Sequence, residues 1–275
     1  MLSLEFLEKD RMNVSLIGGG VMGEVFLSAG IRSGLFDVER TIVCDIRPER
    51  CEELAKKYKV RTTSNLQEAF ASSELAFLAV KPQDLEAIKS DLSDRTCLVS
   101  IMAGVTIKTL QDLFKTENVI RVMPNTPAAI GEGMSVWTVA GSVSEDQRNL
   151  VSSLLSAIGA EYFVEDEEVL DMATAVSGSG PAFVFFFLES LISAAEKIGF
   201  PLEEAVNISV QTLYGAAAYA RESDYDPATL RAMVTSKGGT TAEGIGVLED
   251  FKFREILENC VRAAYNRSKE LSKLR

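Results

Sequence analysis

Histidine is absent from this 275-residue sequence. Its absence excludes catalytic sites that use histidine as a general acid or base, Ser-His-Asp triads and metal sites with histidine ligands. The four cysteines show no Cys-x-x-Cys spacing, so we expect no metal site, and free thiols in a reducing cytoplasm. Any chemistry must then use hydroxyls, carboxylates, lysine, backbone amides or a bound cofactor.

Positive charge is also scarce, with 28 Lys and Arg against 40 Asp and Glu and a net charge of −12. This excess of negative charge repels phosphate, so we expect no nucleic acid and no membrane as a partner. Long apolar runs are missing too: Pro181–Leu188 spans eight residues before Glu189, whereas a membrane span needs about 20. The charged first dozen residues lack the apolar core of an export signal. We therefore expect a soluble, cytoplasmic protein.

Two kinds of pattern divide the chain, whose length suffices for two domains. Up to about residue 165, apolar runs alternate with helical patterns such as Glu49–Lys57 and Ile107–Phe114. The predicted strands are Val14–Ile17, Thr41–Asp45, Leu75–Val80, Cys97–Ile101 and Val119–Val122. This alternation indicates right-handed βαβ units and a parallel sheet.

From about Glu168 onward no strand pattern is left. The predicted helices are Pro181–Ile198, one starting at Pro201, Ala228–Val234 and Phe253–Leu274, and Thr240–Glu243 is predicted to be a capping box. The sequence thus predicts an α/β N-terminal domain with a parallel sheet at residues 12–165. An all-α C-terminal domain follows at residues 166–275.

A glycine motif follows the first predicted strand. Residues 18–23 read G-G-G-V-M-G and precede an amphipathic helix, and Asp45 ends the second strand 22 residues later. The glycines alone could form a merely structural turn, but strand, helix and acid together match the dinucleotide fingerprint. The N-terminal domain is therefore predicted to be a Rossmann-type dinucleotide-binding domain. Asp45 suits the ribose hydroxyls of NAD and Arg47 suits the 2′-phosphate of NADP, so these residues leave the cofactor open.

Polar residues follow two later strands, at the edge of the sheet where ligands bind. Lys81, in Ala79-Val80-Lys81-Pro82, either faces the cofactor or is a solvated lysine at a loop start. Asn125 and Thr126 are expected to reach the same crevice.

A second loop, T-S-K-G-G-T-T at residues 235–241, opens a helix in the C-terminal half. Backbone N–H groups at a helix start favour an anion, here a small carboxylate. The two motifs together indicate an enzyme that brings a cofactor to a small acid. The same half has four phenylalanines on one predicted helix, Phe183, Phe185, Phe186 and Phe187, which we assign to a core or a subunit interface.

Five motifs stand in order along the chain. They are A-V-K-P-Q at 79–83, S-I-M-A-G-V-T-I at 100–107, R-V-M-P-N-T-P-A at 121–128, A-V-S-G-S-G-P-A-F at 175–183 and V-T-S-K-G-G-T-T at 234–241. In this set the sequence resembles pyrroline-5-carboxylate reductase over nearly all of the chain after residue 12. The resemblance implies reduction of the cyclic imine 1-pyrroline-5-carboxylate to L-proline with NAD(P)H, the last step of proline biosynthesis. It also implies homodimers interlocked through the helical domain, often assembled into rings of dimers.

The resemblance further implies site residues. Its cofactor contacts are Gly18, Gly20, Val21, Met22, Gly23, Asn65, Ala79, Val80, Lys81, Pro82 and Ala103, to which the fingerprint adds Asp45 and Arg47. Its substrate contacts are Ser236, Gly238, Gly239, Thr240 and Thr241, and Asn125 is added by its position. Ser236 and Thr241 are the expected catalytic residues, with the Thr241 hydroxyl bonded to the ring nitrogen. We expect a slight preference for NADPH, through Arg47, with NADH accepted as well.

Lys237 departs from the family pattern, which usually has proline at this position; the loop loses preorganisation but keeps both glycines and both threonines. Other functions stay open. One is an NAD(P)-dependent reductase of another cyclic imine or of a hydroxyacid, and the latter needs a base for the alcohol proton. Another is a non-catalytic NAD(P)-binding regulator, against which the intact loop Ser236–Thr241 argues.

Overall fold

The computed structural model describes residues 12–93 and 95–273, so the stretch considered for an export signal lies outside the described residues, apart from its last residue. Contacts divide the chain into two compact units. The first runs to Ser179 and includes the chain from Ala264 onward, and the second is Gly180–Ala263. The first unit thus extends past the domain boundary at residue 165, which stays a prediction.

Eight strands form one sheet in the order β3-β2-β1-β4-β5-β6-β7-β8. They are β1 (Val14–Ile17), β2 (Thr41–Cys44), β3 (Arg61–Thr63), β4 (Leu75–Leu78), β5 (Cys97–Ser100), β6 (Val119–Met123), β7 (Gly133–Ala140) and β8 (Gly159–Phe163). Neighbouring strands run parallel except β6 and β7. The five predicted strands are confirmed, with ends shifted by two residues at most, whereas β3, β7 and β8 are not predicted. The strand order reverses between β1 and β4, a switch point at which open parallel sheets bind ligands.

Strand β4 shows why these runs form a two-sided sheet. All four of its residues are buried. Leu75 and Phe77 belong to one hydrophobic cluster, and Ala76 and Leu78 belong to another. Since side chains alternate across a strand, the two clusters cover the two faces. The ring of Phe77 lies 5.8 Å from that of Phe26, and burying a side chain of this size contributes about 1.5–3 kcal/mol.

Helices connect the strands of the first unit. They are α1 (Val21–Arg32), α2 (Pro48–Tyr58), α3 (Leu66–Phe70), α4 (Ile107–Phe114), α5 (Glu145–Ser156) and α6 (Val169–Ala173). Short 3₁₀ helices lie at Val38–Arg40, Pro82–Ile88 and Thr126–Ile130, and a π-helical turn, Thr174–Gly178, follows α6. Capping sets several starts: the Ser144 hydroxyl accepts from the N–H of Gln147, whose side chain accepts from the N–H of Ser144.

The chain from Gly180 to Lys273 is all helical, as predicted. Its helices are α7 (Gly180–Lys197), α8 (Leu202–Glu222), α9 (Pro227–Met233), α10 (Thr240–Asp250) and α11 (Phe253–Lys273). Gly199, with φ 113°, follows the end of α7, and the Asp226 carboxylate caps α9 by accepting from the N–H groups of Ala228 and Thr229.

Helix α7 exposes most of its phenylalanines in the single chain. Phe185, Phe186 and Phe187 are all exposed, Phe186 by 71%. Of the two predicted settings, the core of one chain is therefore wrong for these three, and a subunit interface stays a prediction. By length and composition alone, one helical stretch of the described residues, Val169–Lys197, could cross a membrane, with a mean hydropathy of 1.5 and 6% of its most apolar window buried.

Candidate active site

The glycine turn between β1 and α1 owes its shape to two of its glycines. Gly18 has φ 100°, and a Cβ added there would lie 2.7 Å from the carbonyl oxygen of Ala79. A Cβ added to Gly23 would lie 2.0 Å from the carbonyl oxygen of Gly18, so only glycine lets α1 approach the turn. These are the tight-turn and close-packing roles of the first and third glycines of a dinucleotide fingerprint.

Gly20 has the role of the second glycine of the fingerprint, which lets the backbone approach a diphosphate. Among the described residues, none but its chain neighbours comes within 4 Å of a Cβ added to it, so the space beside it is open. Gly20 is also the N-cap of α1 and makes no side-chain cap, while the first N–H groups of a helix have no partner inside the helix. This end of α1 can therefore receive a phosphate anion.

Asp45 and Arg47 form a bidentate ion pair just after β2. Nε of Arg47 donates to Oδ1 of Asp45 and Nη2 donates to Oδ2, both at 2.9 Å. Asp45 is buried and also accepts from the N–H groups of Arg47 (3.0 Å) and Gly19 (2.9 Å). Burial raises the pKa of Asp45, but these hydrogen bonds outweigh burial and hold the pKa below its usual range. The carboxylate stays ionised beside a guanidinium that is 57% exposed.

A cavity of about 530 Å³ opens at the carboxyl ends of β1, β2 and β4. Seven of the predicted cofactor residues line it: Gly18, Gly20, Asp45, Arg47, Ala79, Val80 and Lys81. Its other lining residues include four that the sequence does not single out, Ile46, Ser64, Leu66 and Asp84. Each stands next to a predicted residue or motif, which is the signal that could have found them.

The other predicted cofactor residues do not line this cavity. Val21, Met22 and Gly23 form the first turn of α1, and Pro82 starts a 3₁₀ helix. The Asn65 side chain caps α3 by accepting from the N–H of Gln67 (2.9 Å) and lies between two lining residues. Ala103 is half-buried in the turn after β5. Their contacts with a cofactor stay predictions.

Asn125 uses its side-chain amide to join two backbone segments. Its Nδ2 donates to the carbonyl of Ser177 (3.0 Å), in the π-helical turn, and its Oδ1 accepts from the N–H of Met134 (2.8 Å). One N–H and one lone pair of the amide remain for a ligand. The substrate contact expected of Asn125 stays a prediction, beside this structural role.

The loop between α9 and α10 corrects one expectation. Gly239, and not Thr240, is the N-cap of α10: it is extended, and its carbonyl accepts from the N–H of Glu243 (3.2 Å). The predicted capping box at Thr240–Glu243 is therefore wrong. Gly238, with φ 71°, turns the chain so that the N–H of Gly239 reaches the carbonyl of Ser236 (3.0 Å), and the helix begins one residue early.

This loop presents an uncapped helix start with hydroxyls around it. No side chain caps α10, so the N–H groups of its first turn are open to an anion. The side chains of Ser236, Thr240 and Thr241 are exposed. Within residues 12–93 and 95–273, no cluster of three or more acidic or cysteine side chains is placed to hold a metal ion.

The cavity fits a nicotinamide dinucleotide. The turn has open space beside Gly20, a helix start suits the diphosphate, and Asp45 and Arg47 offer a carboxylate and a guanidinium for the adenosine ribose. The α10 loop, in the other unit, fits a small carboxylate.

Comparison with known proteins identifies both parts. Residues 167–271 match the family model for pyrroline-5-carboxylate reductase dimerisation, and residues 13–104 match that for NADP oxidoreductase, coenzyme F420-dependent. The chain is 39% identical over 265 residues to the pyrroline-5-carboxylate reductase of Synechocystis, which covers 95% of this chain and 99% of the relative. It is 36% identical to the reductase of Pisum sativum, over 96% of this chain and 97% of the relative.

Solved structures agree. A pyrroline-5-carboxylate reductase from Coxiella burnetii has a TM-score of 0.86 at 32% identity and covers 96% of this chain and 99% of its own. Pyrroline carboxylate reductase of Plasmodium falciparum, solved with NADP bound, has a TM-score of 0.84 at 29% identity with the same coverage. The chain thus has a Rossmann-type domain that binds a nicotinamide cofactor and a helical dimerisation domain, and it belongs to the pyrroline-5-carboxylate reductase family.

Proposed function

We propose that the protein reduces 1-pyrroline-5-carboxylate to L-proline with NAD(P)H, the last step of proline biosynthesis. The observation that carries the proposal is a likeness to pyrroline-5-carboxylate reductases over nearly the full chain, with both anion-binding motifs kept. When bound, the nicotinamide supplies the hydride, and the protein positions the reactants.

The first unit holds the cofactor. Gly18, Gly20 and the first turn of α1 bind the diphosphate, and Ala79, Val80 and Lys81 border the nicotinamide half, with Pro82 directly after them. What supports this is the cavity at the sheet's switch point together with the open Cβ position of Gly20.

NADPH is the preferred cofactor in this proposal, and NADH is accepted. Arg47 lines the cavity and is more than half exposed, so its guanidinium can turn toward a 2′-phosphate. The Asp45 carboxylate already accepts four hydrogen bonds, two of them from that guanidinium. Its repulsion of a phosphate is thereby reduced, and so is its capacity for ribose hydroxyls.

The second unit holds the substrate. The carboxylate binds the N–H groups of Thr240 and Thr241 at the start of α10, with the Ser236 hydroxyl beside it, because the N–H of Gly239 already donates to the carbonyl of Ser236. The Thr241 hydroxyl is hydrogen-bonded to the ring nitrogen, where electron density grows during reduction. An imine that enters protonated needs no general acid, which is how a chain without histidine performs this reaction.

Assembly and location complete the proposal. The second unit exposes large apolar side chains on α7, α8 and α10, which one dimer interface would cover, and dimers then associate into a ring. The four cysteines are free, and three of them are buried, which suits a reducing cytoplasm.

The test is oxidation of NADPH and of NADH by the purified protein with racemic pyrroline-5-carboxylate. We expect both cofactors to be oxidised only when the imine is present, and NADPH more efficiently. A protein that oxidises neither cofactor with the imine but turns over a hydroxyacid would contradict the proposal.

A further inference from the structure

Gly19, in the middle of the glycine turn, is held by hydrogen bonds at both its N–H and its carbonyl. The N–H of Gly19 donates to Oδ2 of Asp45 (2.9 Å), and the carbonyl of Gly19 accepts from Nε of Arg50 (2.6 Å). The neighbouring N–H of Gly18 donates to the carbonyl of Cys44 (2.8 Å). Asp45 follows β2 and Arg50 lies on α2, so both hydrogen bonds to Gly19 come from one strand–helix segment.

Arg50 is itself fixed by two carboxylates. Its Nη2 pairs with Glu24 in the first turn of α1, and its Nη1 pairs with Glu53 at 2.7 Å. The side chain is only 15% exposed. Glu24 also accepts from Nζ of Lys57 (2.7 Å) and the hydroxyl of Tyr58 (2.8 Å). The guanidinium therefore ties the glycine turn to the start of α1 as one rigid unit.

This unit lies where the cofactor's diphosphate is expected. Gly20, directly after Gly19, borders the cavity, whereas Arg50 does not line it. Arg50 is therefore not expected to contact the cofactor, and its effect on cofactor binding passes through Gly19. A turn that is already fixed loses less conformational freedom when it binds a ligand.

We propose that Arg50 is a positioning residue for the cofactor diphosphate. Arg50 fixes the carbonyl of Gly19 while Asp45 fixes its N–H, and the turn thereby holds the N–H groups at the start of α1 in the orientation that binds the diphosphate. This inference rests on the proposed binding of a nicotinamide dinucleotide. It gives Asp45 a second role, in the shape of the turn, apart from any contact with ribose.

The experiment measures nucleotide binding by calorimetry with the full chain. The probes are NADPH, ADP, which has the diphosphate, and adenosine 2′-monophosphate, which lacks it. The variants are Arg50→Lys, which keeps the charge but not the fork, and Arg50→Met, which keeps the length. Lys57→Met is the matched control, because it removes a positive charge from Glu24 without touching Gly19.

Both Arg50 variants are expected to bind NADPH and ADP about tenfold more weakly, or about 1.4 kcal/mol. Their affinity for adenosine 2′-monophosphate should stay within about twofold, which also shows that the domain is folded, and Lys57→Met should bind all three probes normally. Wild-type affinity for ADP in Arg50→Lys, equal losses with both adenosine probes, or a loss of ADP affinity in Lys57→Met would overturn the inference.

Failure of this inference and failure of the proposed function look different. Wild-type protein that binds the nucleotides but leaves the imine unreduced contradicts the function and leaves the binding comparison valid. Normal imine reduction with unchanged ADP affinity in both Arg50 variants contradicts the inference alone.

Discussion

Arg47→Ala tests which residue reads the adenosine ribose. The substitution removes both guanidinium bonds to Asp45, from Nε and Nη2, and leaves the two backbone bonds from Arg47 and Gly19. Asp45 then presents an unpaired negative charge to the cavity. NADPH loses a cationic partner for its 2′-phosphate and meets that charge, whereas NADH finds carboxylate lone pairs free for its ribose hydroxyls.

The size of the effect follows from the exposure of Arg47. A hydrogen bond to a charged group contributes about 1.5–3 kcal/mol, which corresponds to about 10- to 150-fold. Because the guanidinium is 57% exposed and solvent screens it, we expect the lower part of that range, about 10- to 30-fold in kcat/KM for NADPH. For NADH we expect a change of less than about threefold, in either direction.

The assay compares kcat/KM for the two cofactors at a fixed imine concentration, at low and at high salt. Arg61→Ala is the control, since Arg61 is an exposed arginine on β3 that pairs with Glu68 and does not line the cavity. The salt dependence for NADPH should be weaker in Arg47→Ala than in wild type. Equal losses for NADPH and NADH would show that Arg47 does not read the 2′-phosphate and would refute this reasoning.

Three further predictions concern other parts of the chain. Thr241→Ala keeps the backbone amide and removes the hydroxyl, so kcat should fall by about 10- to 1000-fold with a modest change in KM. Thr241→Ser should recover most of the lost kcat, and a normal kcat for Thr241→Ala in steady-state kinetics would contradict the role of the hydroxyl. Phe186→Asp should weaken the dimer by about 10²- to 10⁴-fold in light scattering, because a two-fold interface loses about 1.5–3 kcal/mol twice. Ile130→Asp is the control and should stay dimeric, since Ile130 is even more exposed than Phe186 but lies in the first unit. Burial raises the pKa of Glu24, but its bonds to Lys57, Arg50 and Tyr58 lower it to about 2. Glu24→Gln should therefore cost about 1–2 kcal/mol in the free energy of unfolding at pH 7, and its difference from wild type should shrink as the pH falls from 4.5 to about 2; a difference that is constant with pH would contradict the ion-pair account.

The sequence predicts five strands of the sheet and misses its two edge strands and the inner strand β7. Val14–Ile17 and Leu75–Leu78 are continuous apolar runs with every residue buried, so their pattern is unambiguous. Arg61–Thr63 is a three-residue edge strand of charged and polar residues, and Gly159–Phe163 alternates at the opposite edge. Edge strands bury too few side chains for an apolar run to mark them.

In the candidate site, too, the sequence predicts some features and misses others. The glycine motif predicts both the turn and its place at the switch point, because glycine spacing encodes backbone conformation directly. The two hydrogen bonds that hold Gly19 cannot be predicted, since Arg50 lies 31 residues away along the chain and reaches the turn only in the folded domain. The sequence does not identify the cap of α10, because Thr240 and Gly239 both suit an N-cap, and the loop's φ angles decide between them.

The most direct test of the proposed function follows hydrogen from cofactor to product. Wild-type protein is incubated with NADPH that carries deuterium at the transferable position of C4 and with racemic pyrroline-5-carboxylate, and the product is analysed by mass spectrometry and chiral separation. We predict L-proline with one deuterium at C5, the carbon of the reduced C=N bond, in equal amount to the NADP⁺ formed. NADP⁺ without labelled proline, or no NADP⁺ at all, would contradict the assignment of this chain as an imine reductase.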